Sequence, residues 1–110
     1  MLADKPDSML AMTRAIYRTR KWFHAKDAAT VAATIARFFP ELDADTLTAC
    51  IERYKTLGLW GHNPVLPKDG FERTKSACLS GGLIQSGADY DDCVDTSLAR
   101  AVIESDPASM

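Results

Sequence analysis

The run Glu52-Arg53-Tyr54-Lys55-Thr56-Leu57-Gly58-Leu59-Trp60, with Asn63-Pro64-Val65-Leu66-Pro67-Lys68-Asp69-Gly70-Phe71-Glu72 just beyond it, decides how this chain reads. Leu47, Cys50, Ile51, Tyr54 and Leu57 recur at the spacing of one helical face, so a helix leads into the run. Gly58 then fits the residue after a helix end that turns into left-handed geometry. Leu59 fits the apolar residue that folds back on the last turn. Trp60 follows as a large anchor packed between helices. Pro64 and Pro67 forbid helix through the next stretch, so Val65-Leu66 is expected to lie extended against the surface before a new helix starts at Lys68. Helix, glycine stop, extended crossing, helix start: nothing in this order suggests a strand.

The same grammar extends in both directions. Upstream, Asp43 opens the helix, with Asp45 near the positive end of its dipole. Before it, Asp27 caps an alanine-rich helix that carries Val31, Ile35 and Phe38/Phe39 on one side and closes at Pro40. The first helix is predicted over about residues 8–24, with Asp7 as its N-cap after Pro6. Met9, Met12, Ile16 and Phe23 form its apolar stripe, Leu10 and Tyr17 a second edge, and Arg14, Arg18 and Lys21 a basic face read as solvated.

Downstream, a helix is expected over residues 68–80, ended by Gly81-Gly82, with Leu83-Ile84 repeating the glycine-then-apolar clip. Residues 90–94 lead into a last short helix over about 95–104. Nowhere do four residues alternate as a strand would. The predicted fold class is all-α, about five helices in one domain spanning residues 1–110.

Composition excludes several functions. The net charge of −2 gives no electrostatic case for a nucleic-acid partner. No apolar run approaches the roughly 20 residues of a membrane helix. Asp4 and Pro6 stand where a secretory signal would have its apolar core, so no export signal is expected between Met1 and Asp7. Cys50, Cys78 and Cys93 show no CxxC spacing, and only His24 and His62 could join them, so no metal site is expected. Cys50 and Cys78 are read as buried free thiols.

The densest acidic stretch, Asp89-Tyr90-Asp91-Asp92-Cys93-Val94-Asp95, fails as a calcium loop. Val94 occupies the position that needs glycine, and Arg100 the one that needs a bidentate glutamate. Carboxylates just before a helix have a simpler role in capping it. There is no nucleophile elbow and no recognisable triad, so no catalytic residue and no cofactor are assigned.

Six segments in order carry a family resemblance: Lys5-Pro6-Asp7 with Ala15-Ile16-Tyr17-Arg18 and Lys21-Trp22; Phe38-Phe39-Pro40-Glu41-Leu42-Asp43; Glu52-Arg53-Tyr54-Lys55; Leu59-Trp60; Gly70-Phe71-Glu72-Arg73; and Tyr90-Asp91-Asp92-Cys93-Val94-Asp95-Thr96-Ser97. Together they resemble the C-terminal segment of the periplasmic substrate-binding proteins of ABC importers for nitrate, sulfonate, taurine or thiamine precursors. Thr74 and Cys78 stand where larger apolar residues are expected, and Leu98 where an aromatic is usual.

The resemblance implies a non-catalytic helical piece of a longer bilobed receptor. In that parent the partners would be a small-molecule substrate and a membrane permease, and the compartment the periplasm. No ligand-binding residue of the family transfers to a position here. Two other readings are a free-standing all-α interaction domain and a segment of a thiamine-pyrimidine synthase-like enzyme. If the chain is a piece, apolar surface on the first helix beside Leu10 and Tyr17 is expected to drive homodimer formation.

Overall fold

The computed structural model describes residues 3–110. Met1 and Leu2, the first residues of the segment read for an export signal, lie outside the described residues. The architecture is all-helical: α1 Pro6–Ala25, α2 Ala28–Ile35, a 3-10 turn Ala36–Phe38, α3 Ala44–Thr56, α4 Lys68–Ser80, α5 Tyr90–Cys93 and α6 Ser97–Ser105.

The core sits between α2 and α3. Ala28, Val31 and Ala32 face Leu47 and Ile51, and Trp22, Phe23, Ile35 and Trp60 close around them. Small residues on α2 let the two helices approach closely, while the branched pair on α3 fills the seam. Each helix starts on an aspartate cap: Asp27 accepts the Thr30 N–H at 2.7 Å and Asp43 the Thr46 N–H at 2.7 Å. Trp60 is the expected anchor, its ring 4.5 Å from Phe23 and 5.6 Å from Tyr54 between centroids.

The glycine stop is real and occurs twice. Gly58 has φ 66°, its N–H reaches the Lys55 carbonyl, and the Leu59 N–H reaches Tyr54. Gly82 repeats this at φ 72°, its N–H reaching Leu79 while Leu83 reaches Cys78. Both are Schellman ends, which satisfy carbonyls a helix end leaves open. The apolar residues that follow stay exposed, however: Leu59 is 60% and Leu83 79% accessible. The backbone half of the clip forms without burial of its side chain.

Four expectations are corrected. The first helix starts at Pro6, with Lys5 in the cap position and Asp7 inside the first turn. Proline suits that start because its missing N–H would be unbonded there anyway. The last segment divides into α5 and α6, giving six α-helices among the described residues: Val94 is extended (φ −121°, ψ 117°), and Asp95 turns its carboxylate to the Ser97 N–H at 2.9 Å. Cys50 and Cys78 are free thiols but only half-buried, and Cys93 is exposed.

The fourth correction is on α1, where the expected apolar stripe divides: Met9 and Phe23 are half-buried, Phe23 against the core. Met12 and Ile16 are exposed, at 54% and 44%, whereas Leu10 and Tyr17 are half-buried. The helix turns this way because it packs on α6 and the tail behind it. Ala99 and Val102 of α6 are buried, Val102 completely. Arg18 Nε donates to the Ala108 carbonyl at 2.9 Å, and Lys21 pairs with Asp106 at 2.5 Å. The face read as solvated therefore holds the C-terminus. Asp106 itself takes left-handed geometry at φ 41° to end α6, a conformation aspartate tolerates better than most residues.

Candidate functional site

Among the described residues, three concavities and one ring pair are places where chemistry could gather. The first is an apolar groove of about 270 Å³ along α3, walled by Phe39 and Leu42 from the loop before it and floored by Ile51 and Trp60. Cys50 and Tyr54 project into it from α3. Among its lining side chains the polar atoms are the Tyr54 hydroxyl, the Cys50 thiol and the Trp60 indole N–H, so it is suited to holding apolar matter.

The second, about 300 Å³, lies between α4 and residues 84–88, with Phe71, Lys75 and Cys78 in its wall. Lys75 is occupied: its ammonium donates to Glu72 at 2.8 Å and to the Ala88 carbonyl at 3.2 Å. The hydrogen bond to Glu72 raises its pKa above the ordinary lysine value, which keeps it a cation rather than a nucleophile. Its stem passes so close to Gly87 that a Cβ there would meet Lys75 carbons at 2.5 and 2.8 Å. This pocket is a packing defect around a structural lysine.

The third, about 330 Å³, is a cleft framed by Arg20, Leu59 and the loop through Gly61, Asn63 and Leu66. The Arg20 guanidinium donates to the Asn63 carbonyl and so pins the extended crossing to α1. Beside it His24 and His62 stack, with centroids 3.9 Å apart and planes 19° from parallel, and His24 Nε2 lies 3.4 Å from the Gly61 carbonyl. Stacked rings do not converge their nitrogens on a shared point.

Among the described residues no group of three or more His, Cys, Asp or Glu is placed to hold a metal ion. The acidic stretch from Asp89 to Asp95 is divided between structural tasks. Asp91 lies 3.9 Å from Lys68, and the Ser97 hydrogen bonds hold the Asp95 carboxyl below its usual range. Asp89 stands in the cap position of α5 without a side-chain bond to it. Asp95 thus bears out the capping role read from the sequence, and Asp89 does not. Sequence reasoning missed the α3 groove, whose walls come from three separate segments. Its one legible signal was the extra apolar residues Phe39 and Leu42 beside Pro40.

No family model matches the chain, and no solved structure matches it. A protein of Bacillus subtilis (strain 168) named "Putative binding protein YtlA" is 25% identical over 101 residues. The similar region takes in 92% of this chain but 30% of that protein, so the chain spans under a third of the length of the curated relative it matches.

Proposed function

We propose that this chain is the helical C-terminal region of the substrate-binding component of an ABC importer for small molecules of the nitrate, sulfonate, taurine or thiamine-precursor kind. The observation that carries the reading is the relation of lengths. Nearly all of this chain is similar to under a third of a longer protein whose name calls it a binding protein. The six ordered segments from Lys5 to Ser97 support the same reading by resemblance. The role is non-catalytic, and the parent works in the periplasm between a small-molecule substrate and a membrane permease. Pockets for such substrates are concave and form preferentially between domains, so the helical region braces the site rather than containing it.

The test pairs two measurements. Reading the gene upstream of Met1 should reveal a continuous frame that encodes the rest of a receptor, and the full product should bind a sulfonate, nitrate or pyrimidine in calorimetric titration. The 110-residue chain should give a flat titration with the same ligands. A closed frame upstream, or one-to-one micromolar binding by the short chain alone, overturns the proposal.

A further inference from the structure

The two histidines of the chain come from different elements and stack on one another. His24 lies on the last turn of α1, and His62 in the crossing between α3 and α4. Their ring centroids are 3.9 Å apart and their planes 19° from parallel. The segment that carries His62 is anchored at both ends. Trp60 packs its ring 4.5 Å from Phe23 and 5.6 Å from Tyr54. The Tyr90 hydroxyl donates to the Leu66 carbonyl at 2.5 Å. Between those anchors none of residues 61–65 is buried. The joint to α1 is polar: the histidine stack, the Arg20 guanidinium on the Asn63 carbonyl, and His24 Nε2 3.4 Å from the Gly61 carbonyl.

Imidazole ordinarily changes charge between about pH 5 and 8, so the joint holds groups that mild acid alters. The charges around it are mostly positive. From α1, Arg20 comes so near that a Cβ on Gly61 would stand 3.5 Å from its Nη1. Lys26 follows the end of α1. From α3, the Lys55 ammonium lies 4.8 Å from the centre of the Phe23 ring, which is itself 5.3 Å from the His24 ring. Asp27, at the start of α2, accepts from Thr30 and has its charge answered by Lys55 and Lys26. At the start of α4, Lys68 faces Asp91 and Asp69 faces Arg73. Among the described residues neither histidine pairs with a carboxylate. One proton on the pair is accommodated, because a charged His24 has an N–H to give the Gly61 carbonyl. A second proton sets two positive rings 3.9 Å apart beside the Arg20 guanidinium.

We infer that the His24–His62 stack is an acid-released latch. Residues 61–65 lie against α1 while at least one ring is neutral, and lift from it when both rings are charged. Trp60 and Leu66 stay in place as the two ends of the moving segment. Release frees the Arg20 guanidinium from Asn63 and opens the cleft of about 330 Å³ that the segment walls. The latch does not rest on the receptor reading, since every group in it belongs to this chain.

Backbone relaxation of the 110-residue chain tests it, with the amides of Gly61, His62, Asn63 and Val65 read at about pH 8 and about pH 5 in low salt. Their order parameters should fall from about 0.85, the value of rigid backbone, to below about 0.6, that of flexible backbone. Amides of α2 and α3 should keep their values at both pH values. His62→Phe retains a flat ring at an exposed position and removes the second charge, so its segment should stay ordered at about pH 5. Salt at 1 M shortens the screening length to about 3 Å and should restore order to the unaltered chain in acid. Unchanged order parameters between the two pH values overturn the inference. So does loosening that His62→Phe fails to prevent, loosening that salt fails to reverse, or loosening shared equally by α2 and α3. A flat ligand titration or a closed upstream frame bears on the receptor reading and leaves this result untouched.

Discussion

Helices α3 and α4 are each 13 residues long, and each ends in the same hydrogen-bonded glycine turn, yet only one is buried. Leu47 and Ile51 of α3 are each 5% exposed, whereas α4 has no buried residue. The difference lies in what each helix meets. Ala28, Val31 and Ala32 give α3 a full helical face to close on. The strongest helical neighbour of α4 is the four-residue α5, held by the Phe71–Tyr90 ring contact at 5.5 Å and by the Tyr90 hydroxyl on the Leu66 carbonyl at 2.5 Å. Local signals make the helix in both cases; only a partner of adequate size makes it core.

The largest effect that would test this contrast is a cavity in the seam. Ile51→Ala should lower global stability by about 2–5 kcal/mol, read as a shift of the urea midpoint. Phe71→Ala on α4, although it removes a larger side chain, should move the same midpoint much less, because its site is half open to water. Equal shifts from the two variants would show that α4 folds as part of the core.

Native-state hydrogen exchange sharpens the point without mutation. Amides of α2 and α3 should exchange only by global unfolding, and those of α4 and α5 by local opening at lower free energy. Protection in α4 that matches α3 would break the comparison from the other side.

Local grammar was legible because it depends on neighbours in sequence. Asp27 and Asp43 cap as read, Gly58 and Gly82 take the geometry that glycine favours, and Pro64 and Pro67 keep the crossing out of helix. Burial was not legible, because it depends on which elements meet. The stripe Met9-Met12-Ile16-Phe23 has the right period, yet α1 rotates Met12 and Ile16 outward. The ion pair of Lys21 with Asp106 and the bond from Arg18 to Ala108 join residues 85 and 90 positions apart. No window along the chain contains both ends of such a contact. The groove escaped notice for the same reason, since Phe39, Tyr54 and Trp60 belong to different segments.

The two glycine turns offer a matched pair of smaller perturbations. A Cβ at Gly58 or Gly82 would meet nothing within 4 Å, so substitution by alanine is penalised by backbone geometry alone. That penalty is about 1–2 kcal/mol. Gly58→Ala should register it in the urea transition, because the turn ends a core helix. Gly82→Ala should appear mainly as faster exchange at the end of α4, with little change in midpoint.

Acid and alkali give the smallest effects and separate the same two regions. Asp27 has its carboxyl held below the ordinary aspartate value of 3.8 by hydrogen bonds from the Thr30 side chain and N–H, and Asp43 by those from the Thr46 N–H and side chain. A depressed carboxylate favours the folded state above its unfolded pKa, and that contribution is lost as pH falls through the folded value. Both caps belong to the α2–α3 pair, whereas α4 starts at Pro67 with no side-chain cap. Acidification below 3.8 should therefore loosen α2 and α3 at their starts while leaving α4 no cap to lose. Lys75 on α4 behaves in the opposite sense. Its pKa is raised above 10.5, chiefly by its hydrogen bond to Glu72, so its contribution is intact below that value and disappears as pH rises through the folded one. Asparagine caps about as well as aspartate and does not titrate, so the double variant Asp27→Asn, Asp43→Asn should retain helicity near neutrality and lose part of the acid-induced fall in urea midpoint. Lys75→Met should leave the acid limb alone and flatten the alkaline response of α4 amides. If the asparagine variant shows the full acid sensitivity of the parent, the caps are not what ties the α2–α3 pair to pH, and the weakness must be sought at Asp95 or Asp106 on the α6 side.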